Sequence, residues 1–263
     1  MFFFKKGRDA YGIDFSGGQV QEYSFKSEVP VDRLRELLRE ARISGVSIQQ
    51  FKDNPHVVLI KTPSYKTDVI TEKLKEKFPD QDIQVLRIER VGPVAGKNLA
   101  TKAIKALIWS FVGIMVYVAF RFKHFDFGVA GVIALVHDVL IALGALAITG
   151  REIDLLSVTA FLTIAGYSIN DTIVVYDRIR ENMRIQRKLS LAEIINLSIN
   201  QTLSRTILTV GVTLLVVIAI FFYGGEVLGN FAFTLLVGFI AGSYSSIYIA
   251  SPLVLAWSRK NVK

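Results

Sequence analysis

Two kinds of hydrophobic pattern divide this chain. Up to about residue 97, apolar and polar residues alternate over short stretches, and from residue 98 onward five long apolar runs follow one another. The runs are roughly Ala103 to Phe122, Phe127 to Thr149, Leu155 to Tyr176, Leu203 to Tyr223 and Gly229 to Trp257. About 20 apolar residues in a helix cross a hydrocarbon core, and lipid offers the backbone no hydrogen-bond partner, so each run predicts a transmembrane helix.

The first part reads by periodicity. Gly18 to Phe25 predicts a strand, and Val31 to Arg42 sets Leu34, Leu37, Leu38 and Ala41 on one helical face. Ser47 to Lys52 and His56 to Thr62 predict two strands around the turn Asp53-Asn54-Pro55. Lys66 to Phe78 aligns Ile70, Leu74 and Phe78 as a second amphipathic helix, and Ile83 to Arg90 predicts a last strand. Strand, helix, strand, strand, helix, strand is the order of the split βαβ, ferredoxin-like arrangement. The fold class is then a polytopic α-helical membrane protein carrying a small α+β domain, divided into residues 1–97 and 98–263. The core of so small a domain is modest, and its fold points to binding or bracing rather than to chemistry.

Composition sharpens the division. The chain is 51% hydrophobic with a net charge of +8. Residues 1–97 hold 17 Lys/Arg and 14 Asp/Glu, net +3, and residues 98–263 hold 14 and 9, net +5. The basic residues of the second part gather at the ends of apolar runs, which is a topology signal and not a nucleic-acid footprint. Arg121, Lys123, Arg178, Arg180, Arg184, Arg187, Lys188, Arg259, Lys260 and Lys263 lie on one side, and Lys97, Lys102, Lys105 and Arg151 on the other. The richer side belongs in the cytoplasm, which predicts residues 1–97 outside it and a cytoplasmic C-terminus. A hydrophilic domain does not cross unaided, so an upstream transmembrane segment is expected before this numbering, with Phe2-Phe3-Phe4 as its stub. The absence of cysteine excludes disulfides, thiolate metal sites and a cysteine nucleophile. No cofactor and no metal is implied.

The residue that stands out is Asp171, a carboxylate inside the third apolar run. A charge in hydrocarbon costs several kcal/mol, so acids persist there mainly where they move ions or hold a partner. Burial favours a neutral carboxyl and a nearby cation the ionised one, so a movement that changes their separation takes up or releases a proton. Arg205, just inside the fourth run at comparable depth, is the candidate cation. The same two residues also fit a static buried ion pair, and Arg205 a side chain that snorkels to the headgroups. His137-Asp138 lies near the middle of the second run and suits either a proton relay or structural hydrogen bonding. Ser168, Asn170, Asn200, Gln201, Ser204 and Thr206 would line a polar seam beside these groups or serve as interhelical glue. Gly113, Gly128, Gly131, Gly144, Gly166, Gly211, Gly238 and Gly242 are read as points of close helix approach. Asp177 to Asn182 and Leu189 to Ile195 are read as a solvated, positively charged loop.

Five motifs in order carry a resemblance. They are Gly12-Ile13-Asp14-Phe15-Ser16-Gly17-Gly18, Arg90-Val91-Gly92-Pro93-Val94, His137-Asp138, the run Gly166 to Asn182, and Asn200-Gln201-Thr202-Leu203-Ser204-Arg205-Thr206. Together they span nearly the whole chain and resemble the SecF subunit family of the bacterial and archaeal Sec protein-export machinery. The resemblance implies half of a resistance-nodulation-division type transporter in the cytoplasmic (inner) membrane, with six spans where five are present here. It implies a SecD partner of similar plan, and use of the proton gradient to draw unfolded polypeptides out of the SecYEG channel without covalent catalysis. It also implies that Asp171 and Arg205 match the family's proton-pathway acid and its basic partner. A small-molecule or lipid exporter half and a passive scaffold subunit are the rival readings. The glycines of Gly12 to Gly18 are read as backbone-conformation positions at the entry to the first strand.

Overall fold

The computed structural model describes residues 10–43, 46–50, 54–63, 67–122 and 125–258. The expected stub at Phe2 to Phe4, the turn residue Asp53 and the charges at Lys123, Arg259, Lys260 and Lys263 lie outside the described residues. The chain divides into two compact units, within Lys6–Lys102 and within Ala103–Lys263.

The first unit opens on a short helix α1 (Ile13–Ser16) and continues through β1 (Gly18–Ser24), α2 (Val31–Glu40), β2 (Ser47–Gln50), β3 (Val57–Thr62), α3 (Thr67–Lys77) and β4 (Gln84–Val91). The strands form one sheet in the order β2-β3-β1-β4, and every pairing is antiparallel. Its core joins Leu34, Leu37 and Leu38 of α2, Ile70 and Leu74 of α3, and Tyr23, Val58 and Ile60 of the sheet, the faces that the two sequence periods select. The Tyr23 hydroxyl donates to Gln21 Oε1 and lies 2.8 Å from Thr71 Oγ1, and burial pushes its phenol up to about 12.

The Gly12 to Gly18 stretch does more than enter the first strand. Residues Ile13–Ser16 make a helical turn, and Gly17 and Gly18 take φ values of 72° and 134°, which favour glycine. A Cβ on Gly17 would lie 2.8 Å from Pro93 Cα, so this motif and the Arg90 to Val94 motif, far apart in sequence, pack backbone to backbone.

The second unit is helical. Its elements are α4 (Pro93–Phe122, which begins in the first unit), α5 (Phe125–Ile148), α6 (Leu155–Ile185), α7 (Leu191–Tyr223), α8 (Gly225–Ser245), a π turn (Ser246–Ala250) and α9 (Ser251–Ser258). Five helices are long and apolar enough to cross a membrane, α8, the π turn and α9 counting together as Leu228–Trp257. Helix α6 and this last span are about half buried, whereas α4 and α7 turn most of their apolar side chains outward. Ile104, Trp109, Val116 and Phe120 on α4 and Leu208, Val212, Leu215 and Phe222 on α7 are exposed, as lipid-facing positions would be.

The helices run beyond the apolar windows, and this corrects the expectation of a loop at 177–195. Asp177 to Asn182 belong to α6 and Leu191 to Ile195 to α7, leaving only a short connection between them. Two forces extend the helices. Ile179 of α6 and Ile194 and Ile195 of α7 are buried, and Ser190 caps α7 in a reciprocal box with Glu193. Asp154 and Ser157 form the same kind of box at the start of α6.

The glycines divide. A Cβ on Gly238 would lie 2.1 Å from Ile164 Cδ1, and one on Gly242 2.9 Å from Ser168 Cβ, so α8 reaches α6 only because these residues lack side chains. At Gly113, Gly144, Gly166 and Gly211 a Cβ would meet nothing within 4 Å among the described residues, so they are not points of close approach between the helices described.

Candidate functional site

The capping box at Asp154 sets the phase of α6, and one face of the helix follows inward: Ile164, Ala165, Ser168, Asp171, Thr172, Val175 and Tyr176 are buried. Asp171 faces α7. Thr206 Oγ1 donates to Asp171 Oδ1 at 2.9 Å, whereas Oδ2 is buried and accepts no hydrogen bond from the described residues. The side chain retains 7% of its exposure. Arg205 is exposed, and among the described residues it forms neither an ion pair nor a hydrogen bond with Asp171, although the two interact coulombically. Thr206, one residue further along the helix, makes the contact instead. Adjacent helical residues point about 100° apart, so the two cannot both face Asp171 directly.

Asp138 on α5 has a different environment. It is fully buried, and its Oδ2 accepts from Ser168 Oγ of α6 at 2.6 Å and from Ser245 Oγ of α8 at 2.8 Å. His137 Nδ1 lies 3.1 Å from its Oδ1. One carboxylate therefore joins three helices, and Gly242 gives α8 the room to come close enough. Ser245 is the last residue before the π turn, a wide turn that inserts one residue into the helix register and recurs at functional positions.

The expected polar seam divides among several places. Ser168 belongs to the Asp138 cluster and Thr206 to Asp171. Gln201 lies closer to the start of α7, where its Oε1 accepts from Arg178 Nε at 2.7 Å and from Asn182 Nδ2 at 2.8 Å. Asn200 is exposed and donates to its own helix at the Asn196 carbonyl, 3.0 Å away. Asn170 and Ser204 are exposed. Inspection of the sequence overlooked Ser245, and also Tyr167 and Thr213, whose hydroxyl oxygens are 2.9 Å apart across the α6–α7 interface. A helical count would have found the last two: Tyr167 precedes Asp171 by one turn, and Thr213 follows Thr206 by two. Serine inside an apolar run gives no comparable signal.

With this geometry in place, the chain can be compared with known proteins. A family model described as protein export membrane protein SecD/SecF, C-terminal, matches residues 69–260. The protein translocase subunit SecF of Calditerrivibrio nitroreducens is 44% identical over 95% of this chain and 84% of its own length. That of Rickettsia typhi is 41% identical over 95% of this chain and 82% of its own. A crystal structure of SecDF, a translocon-associated membrane protein from Thermus thermophilus, superposes with a TM-score of 0.86 at 42% identity over 98% of this chain. The chain spans only 36% of that SecDF polypeptide. The five apolar helices and these likenesses make it a multi-pass inner-membrane protein.

Proposed function

The chain belongs to the SecD/SecF family of protein-export membrane proteins, on its SecF side, and from that premise we propose that it is a proton-motive-force-coupled accessory subunit of the Sec translocase. The observation that carries this reading is Asp171, buried among membrane-spanning helices with one carboxylate oxygen held by Thr206 and the other without a hydrogen bond among the described residues. An acid kept as a structural lock has both oxygens satisfied, because a half-satisfied polar group in a dry interior is costly. An acid that must exchange a proton keeps an oxygen free for it.

Protons from outside bind at Asp171 and leave toward the cytoplasm, and Arg205 approaches or withdraws as the carboxyl changes charge. His137 and Asp138 support the helices around this event. Each charge crossing 100 mV supplies about 2.3 kcal/mol, which biases a two-state element roughly fiftyfold without ATP. The helical unit, residues 98–263, acts as half of a resistance-nodulation-division type membrane unit beside a SecD-like subunit. The smaller unit, residues 1–97, lies outside the cytoplasm with the C-terminus inside, and the strand order β2-β3-β1-β4 supports reading it as ferredoxin-like. The coupled movement swings this outer domain against an unfolded polypeptide emerging from the SecYEG channel. No bond of the client is made or broken.

Two measurements test the reading. Gradient-driven release of exported protein from membrane vesicles should fail in Asp171→Asn at matched expression, and full activity there would sink the mechanism. A membrane-impermeant thiol reagent applied to intact cells should label a cysteine placed at Asn54 and miss one placed at Asn261; the reverse pattern would overturn the topology.

A further inference from the structure

Helices α6 and α7 run antiparallel and meet through polar contacts at four levels. In order along α6 these are Tyr167 with Thr213, Asp171 with Thr206, Arg178 with Gln201, and Asn182 with Ser198 and Gln201. The α6 members are four, seven and four residues apart, a spacing that places all of them on one face. Asp171 is the member of this row with a buried polar atom that accepts no hydrogen bond among the described residues. One helical turn away, on the side toward the start of α6, is the hydroxyl pair.

That pair is well placed to pass a proton. The Tyr167 ring packs against Phe239 of α8, with centroids 4.4 Å apart, so its hydroxyl is held at the α6–α7 interface. Thr213 is only partly buried, and its Oγ1 also lies 2.9 Å from the Thr209 carbonyl. The hydroxyl protons of the pair have two arrangements. In one, Tyr167 donates to Thr213 and Thr213 to the Thr209 carbonyl. In the other, Thr213 gives up the Thr209 carbonyl and donates to Tyr167, and the phenol proton is free for an acceptor outside the pair. Helical side chains lean back toward the helix start, so the phenol lies short of Asp171, one turn further along α6, and bridging water spans the gap between them.

We propose that the Tyr167–Thr213 hydroxyl pair is the outward step of the proton route to Asp171. The inference rests on the proton-coupled reading of Asp171 and on the topology that sets the start of α6 outside. An incoming proton bonds to a lone pair of Thr213 Oγ1, the proton already there passes to the Tyr167 oxygen, and the phenol proton passes to a bridging water, which hands one of its own protons on to Asp171 Oδ2. One O–H bond forms as another breaks at each hydroxyl, so both end neutral as they began. The carboxylate ends as the acid.

The test uses vesicles containing the whole export complex, and follows gradient-driven release of a translocated protein in H2O and in D2O. Tyr167→Phe keeps the ring on Phe239 and removes only the hydroxyl; Thr213→Val removes the other hydroxyl at constant size. Each should slow gradient-driven release about tenfold, less than loss of a direct proton donor because water can partly fill the vacated space. Each should also enlarge the solvent isotope effect, since proton entry then limits the rate; a purely structural contact would leave that ratio unmoved. Thr213→Ser should recover most of what Thr213→Val loses. Thr163→Val, which deletes a hydroxyl bonded to its own helix one turn earlier, should change nothing. Wild-type rates and isotope ratios in Tyr167→Phe and Thr213→Val, alongside failure of Asp171→Asn, would overturn this step and leave the role of Asp171 standing. Undiminished release in Asp171→Asn would remove both. If Tyr167→Phe does not assemble, the contrast between valine and serine at position 213 decides alone.

Discussion

Asp138 and Asp171 are the same side chain in the same kind of helix, and both accept a hydrogen bond from a hydroxyl on a neighbouring helix. They differ in how much else holds them. Asp138 has no exposed surface and receives Ser168, Ser245 and His137, whereas Asp171 keeps 7% of its exposure and, among the described residues, receives Thr206 alone. A buried polar network with every member satisfied rigidifies the helices that supply it, and a buried acid with an oxygen left over is free to change its charge. Burial by itself therefore does not distinguish a lock from a switch; the count of partners does.

The largest effect on export that would break or sharpen this contrast is expected at the under-satisfied acid. Asp171→Asn keeps the shape and the contact with Thr206 but cannot titrate, so gradient-driven export should lose the roughly fiftyfold advantage that one charge moved through 100 mV provides. Stability of the purified subunit should hardly change. Loss of the folded protein from the membrane would instead make Asp171 a second lock.

Asp138 should show the reverse. Asp138→Ala strands the Ser168 hydroxyl, leaves Ser245 only the Gly242 carbonyl of its own helix, and opens a cavity where three helices meet, a combination that costs about 3 kcal/mol. Thermal unfolding in detergent checks it, and wild-type stability would mean that the network holds nothing together. A smaller effect is expected at the glycine beside it. Gly242→Ala places a methyl 2.9 Å from Ser168 Cβ and 3.5 Å from Asp138 Oδ2, so overpacking should cost about 2 kcal/mol. Gly166→Ala on the open face of α6 should be neutral or stabilise by a fraction of that, as alanine for glycine does in an unobstructed helix.

How much of this was legible in the sequence follows from which signals are local. Five apolar runs announce five helices because length and lipid leave no other structure. Their ends were misjudged because capping at Ser190 and burial of Ile179, Ile194 and Ile195 extend helices past the point where hydropathy falls. In the first unit, periodicity located strands and helices, but the meeting of Gly17 with Pro93 is non-local and no spacing announces it. Two carboxylates stood out against apolar surroundings. Ser168 and Thr206 were legible as polar positions beside them, but which hydroxyl serves which acid, and the parts of Ser245, Tyr167 and Thr213, emerge only once helical phase is assigned. That phase turns Asn170 and Ser204 outward although each is a near neighbour of a key residue.

On export, a smaller effect than that of Asp171→Asn is expected at Arg205, where the contrast between the two acids is least direct. The guanidinium is exposed and makes no hydrogen bond or ion pair with Asp171 among the described residues, yet its charge acts on the carboxyl. A group that works through charge at a distance tolerates lysine, whereas one that grips a carboxylate with a planar fork does not. Arg205→Lys should therefore slow gradient-driven export only a few-fold, within about 1 kcal/mol, and leave unfolding unchanged. Arg205→Gln, which removes the charge, should be the more damaging of the two. Equal loss in both variants would mean that the fork closes on Asp171 in another state of the cycle, with the free Oδ2 as the oxygen it reaches.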